Sequence, residues 1–293
     1  MSLRLEMLQV ARLAPEVLGD EAVGLVAKFI RSQRNADGGF CDRAGRSDLY
    51  YTSFAVDALT ALQRELPEDL IAYLDKQDPV SLDFVHTACL ARLLSAAPGG
   101  VRRGLVDAAL ARLETFRAAD GGYNQVAGAE GGSCYACFLA YGAYADHRRL
   151  PPEPSGIAGC LGSLAQANGG WSNDATLPVA NVPATAAAVA LSRNLRLPIP
   201  EATATFLLSA RHPGSGGFVP FPGAPLPDLL STAVALHALD GLQADFESVK
   251  EPGLDFIDSL WTAEGGFHGH WDDDVLDLEY TYYGLLALGH LAL

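Results

Sequence analysis

Gln33-Arg34-Asn35-Ala36-Asp37-Gly38-Gly39-Phe40 ends on a Gly-Gly-aromatic triplet that returns at Gly121-Gly122-Tyr123, Gly169-Gly170-Trp171, Gly216-Gly217-Phe218 and Gly265-Gly266-Phe267. The steps between triplets are 83, 48, 47 and 49 residues, so the long first step hides one degenerate unit, whose turn is expected at Gln77-Asp78-Pro79. Six units of about 47 residues account for nearly all of the 293 positions. A fixed period of this length identifies a repeat architecture before any local propensity is consulted.

A second signal keeps the same period. After each turn a polar residue stands four before a small hydroxyl residue, in Asp48…Thr52, Asp83…Thr87, Asn181…Thr185, Asp228…Thr232 and Asp277…Thr281, with Gly132…Ala136 in the third unit. Asp or Asn there reads as a helix N-cap. The runs that follow (49–63, 84–96, 133–145, 183–195, 229–241 and 278–291) are apolar nearly all round, as in helices buried on most faces. The segments before the turns (21–34, 67–76, 101–117, 155–166, 201–210 and 252–261) carry more polar faces and read as half-exposed helices. Pro151, Pro152, Pro154, Pro198, Pro200 and Pro252 mark the return connections. The expected fold is all-α: one domain over residues 1–293, with six helical hairpins closed into an α6/α6 toroid around a central cavity. Closure is expected because the last apolar run is as apolar as the middle ones and would be left exposed in an open solenoid.

Composition narrows the function classes. The chain is 49% hydrophobic and 19% charged, which excludes a disordered or coiled-coil protein. Its net charge of −15 argues against nucleic acid or an anionic membrane as the main partner. No apolar run approaches the ~18 residues of a transmembrane helix, and MSLRLEM lacks the basic-then-apolar order of a signal peptide. Five cysteines, an odd number in mostly apolar surroundings, fit reduced thiols and a cytoplasmic location.

The units Gln33–Phe40 and Gln166-Ala167-Asn168-Gly169-Gly170-Trp171 resemble the Gln…Gly-Gly-aromatic repeats of the protein prenyltransferase β subunits and the terpenoid cyclases, over essentially the full chain. That resemblance implies an α/α barrel whose apolar cavity holds an isoprenoid. In the zinc-dependent prenyltransferases it implies Asp-x-Cys and a histidine at positions that are here Asp228-Leu229-Leu230 and Tyr280. Leucine cannot bind zinc, and a phenol is a poor substitute for imidazole. The diphosphate-binding positions of that branch are here Glu130-Gly131-Gly132, Phe221 and Ala224, with no positive charge. In the class II cyclases the resemblance implies Asp-x-Asp-Asp-Thr, whose middle acid protonates an alkene or epoxide. Asp277-Leu278-Glu279-Tyr280-Thr281 fits that frame with substitutions, placing Glu279 as proton donor and Asp277 as its support.

Residues in the first turn of each apolar helix gather at one mouth of the expected barrel. Glu279 stands out there because it lies among Leu, Tyr and Thr, where burial would raise its pKa. His86, in the turn before Thr87, is a candidate base, donor or ligand. Tyr50, Tyr51 and Phe54 of the first unit should face Tyr280 and Tyr283 of the last, with Tyr135 and Phe138 in the third, as an aromatic wall for an isoprenoid or a developing cation. No metal site is expected. The alternatives that stay open are Mg²⁺ at Asp272 and Asp274, a transition metal there together with His268 and His270, and zinc at His86, Cys134 and Cys137.

The function expected is acid-initiated cyclisation or isomerisation of an isoprenoid-like apolar molecule. The alternatives are a divergent prenyl transfer, or a non-catalytic barrel that binds a lipid or a helical protein subunit.

Overall fold

Capping chemistry sets the pattern of the computed structural model, which describes residues 2–97 and 102–293. The inner helices are α3 (Leu49–Ala61), α5 (Phe84–Ala96), α7 (Cys134–Asp146), α9 (Val182–Leu195), α11 (Leu229–Gly241) and α13 (Leu278–Leu291). Each starts at a side chain that accepts a first-turn N–H: Asp48, Asp83, Ser133, Asn181, Asp228 and Asp277. The hydroxyl residue four places on links cap to triplet. Thr52 Oγ1 donates to Asp48 O (2.6 Å) and accepts from Phe40 N–H (2.9 Å), and Thr232 bonds Asp228 and Phe218 in the same way. In the third unit the frame is Ser133…Cys137, one residue later than the expected Gly132…Ala136. Cys137 Sγ takes the threonine's place, accepting from Tyr123 N–H at 3.3 Å.

The outer helices are α2 (Ala14–Ser32), the short α4 (Leu70–Leu74), α6 (Arg103–Glu114), α8 (Pro154–Leu164), α10 (Ala202–Ser209) and α12 (Glu247–Asp258). Val101, the expected start of the third outer segment, lies outside the described residues. Gln77-Asp78-Pro79 forms the expected turn, with a single 3₁₀ turn at Pro79–Ser81. Pro252 does not mark a connection: it sits inside α12, over Gly216, whose missing side chain leaves room for it.

The triplets are the joints of the ring. Their first glycines all have φ between +82° and +95°, a region costly for other residues. Each also abuts the next outer helix. A Cβ on Gly121 would lie 2.8 Å from Gly156 of α8, and one on Gly169 would lie 2.7 Å from Ala202 of α10. A Cβ on Gly265, in the last unit, would collide with the carbonyl of Leu25 in the first outer helix. Among the inner helices, each packs on the next and α13 packs on α3, so the ring is closed. Among the described residues the fold is all-helical apart from isolated bridges at the triplets, which matches the expected toroid.

One element was not anticipated. Helix α1 (Leu3–Ala11) packs on α3, α7 and α13, all inner helices, and so lies across the bore rather than on the outside. Its contacts include Asp57, Gly142, Asn194 and Gly289, in the later turns of the inner helices. The caps stand at one end of the bore and α1 stands at the other. No helix among the described residues is long and apolar enough to cross a membrane.

Candidate functional site

The uneven side-chain sizes of the inner helices leave a cavity of ≈ 160 Å³ inside the ring. Tyr135 and Phe138 of α7 and Tyr283 of α13 form its bulky side. Pro183, Ala186, Ala187 and Ala190 of α9 form the opposite side, where small residues leave the space empty. Leu230, Val234 and His237 of α11 complete the wall, and Met7 of α1 reaches in from the far end. Tyr50 and Phe54 back this wall: their rings lie 4.9 Å apart, and Phe54 is 5.5 Å from Tyr283.

Glu279 lies at the capped end of this aromatic group. Its position one helical turn before Tyr283 puts both on one face of α13. Tyr50 O–H donates to its Oε1 at 2.7 Å. Burial raises the pKa values of Tyr135 and Tyr283, and the nearby charge of Glu279 adds to the rise. Burial pushes Glu279 from the ordinary 4.5 up to about 7; the Tyr50 hydrogen bond pulls against that and the charge of Asp277 adds to it. A carboxyl group in this position carries a transferable proton near neutral pH.

Asp277 is 5% exposed, and both its oxygens are engaged. Oδ1 accepts Tyr280 N–H at 2.9 Å, and Oδ2 accepts Arg43 Nε at 2.7 Å. Burial raises its pKa, while the Arg43 guanidinium opposes the rise. Arg43, from the loop after the first triplet, was missed in the sequence. It also grips Asp273 through two bonds (2.7 and 3.2 Å) and lies 5.6 Å from the Tyr280 ring centroid. This places one cation between the first and last units, beside the acid. Tyr51 and Tyr280 belong to this charged rim, near Arg43 and Asp277, and not to the cavity wall. A lone arginine in a Gly-containing loop gives no periodic signal; only its 234-residue reach to Asp277 reveals it.

His86 does not join this group. Its Nε2 meets Asp48 Oδ2 at 2.8 Å and its Nδ1 meets Asp83 Oδ1 at 2.8 Å. The hydrogen bond to Asp48, then that to Asp83, hold it up to about 9 against the effect of burial. It is an imidazolium clamp between two helix caps, with neither ring nitrogen left for acid–base work. The zinc alternative at His86, Cys134 and Cys137 fails on the same geometry. Cys134 Sγ turns to Ser172 O (3.3 Å), and Cys137 Sγ lies 3.9 Å from Cys160 Sγ. The Mg²⁺ alternative fails differently: Asp272 and Asp274 are exposed, and the aspartate between them is the one turned inward, to Arg43.

The prenyltransferase-type zinc set does not fit either. Both oxygens of Asp228 bond Ser231, at 2.6 and 2.8 Å, Leu230 lies in the cavity wall, and Tyr280 packs under Arg43. These three side chains serve here as cap, wall and rim.

Sequence reasoning also missed the His237–His290 pair, whose Nδ1 and Nε2 are 3.0 Å apart. Burial, reinforced by Arg193, depresses His237 to about 4 and keeps it neutral. Read alone, His237 is one more residue of an apolar run; its place in the wall depends on the helix rotation.

The prenyltransferase alpha-alpha toroid domain model matches residues 23–88 and 158–292. No curated protein matches the chain in sequence. Among solved structures, a protein from Actinoplanes is 16% identical with a TM-score of 0.65, over 94% of this chain and 100% of that one. The type II terpene cyclase MstE from Scytonema, in its apo form, is 14% identical with a TM-score of 0.60, over 97% and 98%. A variant of that cyclase, at 14% identity, TM-score 0.58 and 97% coverage of both chains, is in complex with geranylgeranyl dihydroxybenzoate as substrate. At such identities the likeness is one of fold.

Proposed function

We propose that this chain, which belongs to the prenyltransferase alpha-alpha toroid domain family, binds an isoprenoid chain in its cavity and converts it to an isomer by protonating a carbon–carbon double bond. The observation that carries this reading is Glu279: a half-buried carboxyl group with a pKa raised to about 7, held by Tyr50, beside an aromatic-walled cavity. The fold it shares with a cyclase solved with a geranylgeranyl compound as substrate supports the ligand class.

The chemistry balances within the chain's own groups. Tyr50 donates to Oε1, so the proton of Glu279 resides on Oε2. Transfer of that proton to an alkene carbon forms a C–H bond from the π pair and leaves a cation on the neighbouring carbon. A second double bond of the same chain attacks that carbon to close a ring. The faces of Tyr135, Phe138 and Tyr283 stabilise the cation without reacting with it. Loss of a proton to the neutral imidazole of His237 then restores a double bond, and the product has the mass of the substrate. Arg43 and Asp277 hold the first turn of α13, and with it Glu279. Five unpaired thiols, four of them buried, fit the reducing cytoplasm.

The test is incubation of the protein with unmodified polyprenyl alcohols, their diphosphates and linear triterpene hydrocarbons, followed by mass spectrometry. A product of unchanged mass and new retention time is expected, and Glu279→Gln should lower its rate at least ~100-fold. A product of changed mass would mean group transfer, and full activity in Glu279→Gln would overturn the assignment of the acid.

A further inference from the structure

The cavity has a floor that belongs to no repeat. Met7 is the residue of α1 that enters it. A second space of ≈ 30 Å³, about the size of one water, lies beyond, lined by Leu3, Arg4, Ala88, Cys89 and Arg92 among others. Met7 and Phe138 border both spaces, so they form the partition between them.

The floor is anchored on three sides. Arg4 Nε donates to Asp57 Oδ1 of α3 at 2.6 Å, and Arg92 of α5 meets the other oxygen of the same buried carboxylate at 2.5 Å. Glu6 reaches Arg193 of α9 at 3.5 Å. On α13, Gly289 lets the backbone of α1 approach so closely that a Cβ there would collide with Val10 O. Leu3 and Met7, one turn apart, share the buried face of α1, and Leu5 is turned to solvent. A helix held in this way cannot recede by small steps. The depth of the cavity is therefore set by the side chain at position 7.

At ≈ 160 Å³ the cavity is near the size that holds one benzene-like ring in an engineered core. A chain entering from the capped end, past Glu279, spends that depth after one or two isoprene units. We propose that Met7 is the chain-length gauge of the site: it sets how many isoprene units fit between the acid and the floor. This rests on the isoprenoid reading above and adds the residue that selects among isoprenoids. Methionine suits the role, since its flexible thioether seals against ligands of slightly different shape. Removing it should join the two spaces and lengthen the cavity towards Cys89 and Arg92.

The experiment is equilibrium dialysis of the full chain and its Met7→Ala, Met7→Phe and Met7→Leu variants against prenyl alcohols of ten, fifteen and twenty carbons. The readout is the ratio of affinities between lengths, which cancels general hydrophobicity. Met7→Ala should move the ratio towards the next longer alcohol by at least about tenfold, from the extra buried methylenes. Met7→Phe should move it the other way, and Met7→Leu, similar in volume, should leave it unchanged. If Met7→Phe does not fold, Met7→Ala alone decides. The same ratio in Met7→Ala as in the native chain would overturn the gauge and leave the isoprenoid reading standing. Failure of the native chain to bind any of the three alcohols would overturn that reading, and the gauge with it.

Discussion

At the scale of single residues, Glu279 and His86 at the capped end of the barrel have raised pKa values for opposite reasons. Glu279 is raised from 4.5 to about 7 because its charged form is desolvated. His86 is raised from 6.5 to about 9 because two aspartates stabilise its charged form. In both cases the folded state holds a proton at pH values where the unfolded chain has released it, so stability falls as pH rises. The windows differ. The Glu279 contribution is present in acid and is lost between about pH 4.5 and 7; the His86 contribution is present below about 6.5 and is lost as pH rises through 9. Thermal melts from pH 4 to 10 should show both declines in the native protein. Glu279→Gln should flatten the lower one, worth no more than about 3 kcal/mol. His86→Gln should flatten the upper one, about 1–2 kcal/mol after allowance for screening at a side chain 32% exposed. Persistence of the lower decline in Glu279→Gln would mean that Glu279 is not the acid responsible for it. Glu279 was legible in the sequence because a carboxylate two residues inside an apolar helix is out of place. Arg43, Met7 and His237 were not, since nothing local distinguishes a residue that acts across units.

At the scale of elements, the glycine joints hold the ring together. Gly265 and Gly45 make a controlled pair: φ is +95° and +81°, but only Gly265 has backbone where a Cβ would go. Gly45→Ala should cost about 1 kcal/mol, the conformational term alone. Gly265→Ala adds a clash with Leu25 at the closure of the ring and should cost at least about 3 kcal/mol, measured by urea unfolding at fixed m-value. Equal costs would mean that this joint is loose. The caps, turns and inner helices were readable because each repeats, so a fault in one copy is corrected by the others. The third cap was placed one residue early because Cys137 does the work of the missing threonine through sulfur. Helix α1 went unread because it occurs once and is nine residues long, with its buried face made by the bore of a ring that the other helices must first form.

At the scale of the whole molecule, the parallel inner helices give the barrel two unlike ends. The capped end gathers six helix N-termini, the Arg43–Asp277–Asp273 network and Glu279. The other end is closed by α1 and the buried Arg4–Asp57–Arg92 cluster. In the proposed reading an apolar chain enters at the acid and is stopped at Met7, with aromatic rings on one side and small residues on the other. The all-helical ring followed from the period and from the need to hide the last apolar helix. The contents of the bore did not, because they depend on how each inner helix is rotated about its axis. The proposed delivery of a proton by Glu279 is tested most directly by reaction in D₂O with an isoprenoid substrate. Glu279 exchanges its proton with solvent between turnovers, so each product molecule should carry one deuterium, on the carbon protonated first, and Glu279→Gln should slow its formation at least ~100-fold. A product free of deuterium, or labelled product formed equally fast by Glu279→Gln, would contradict the account.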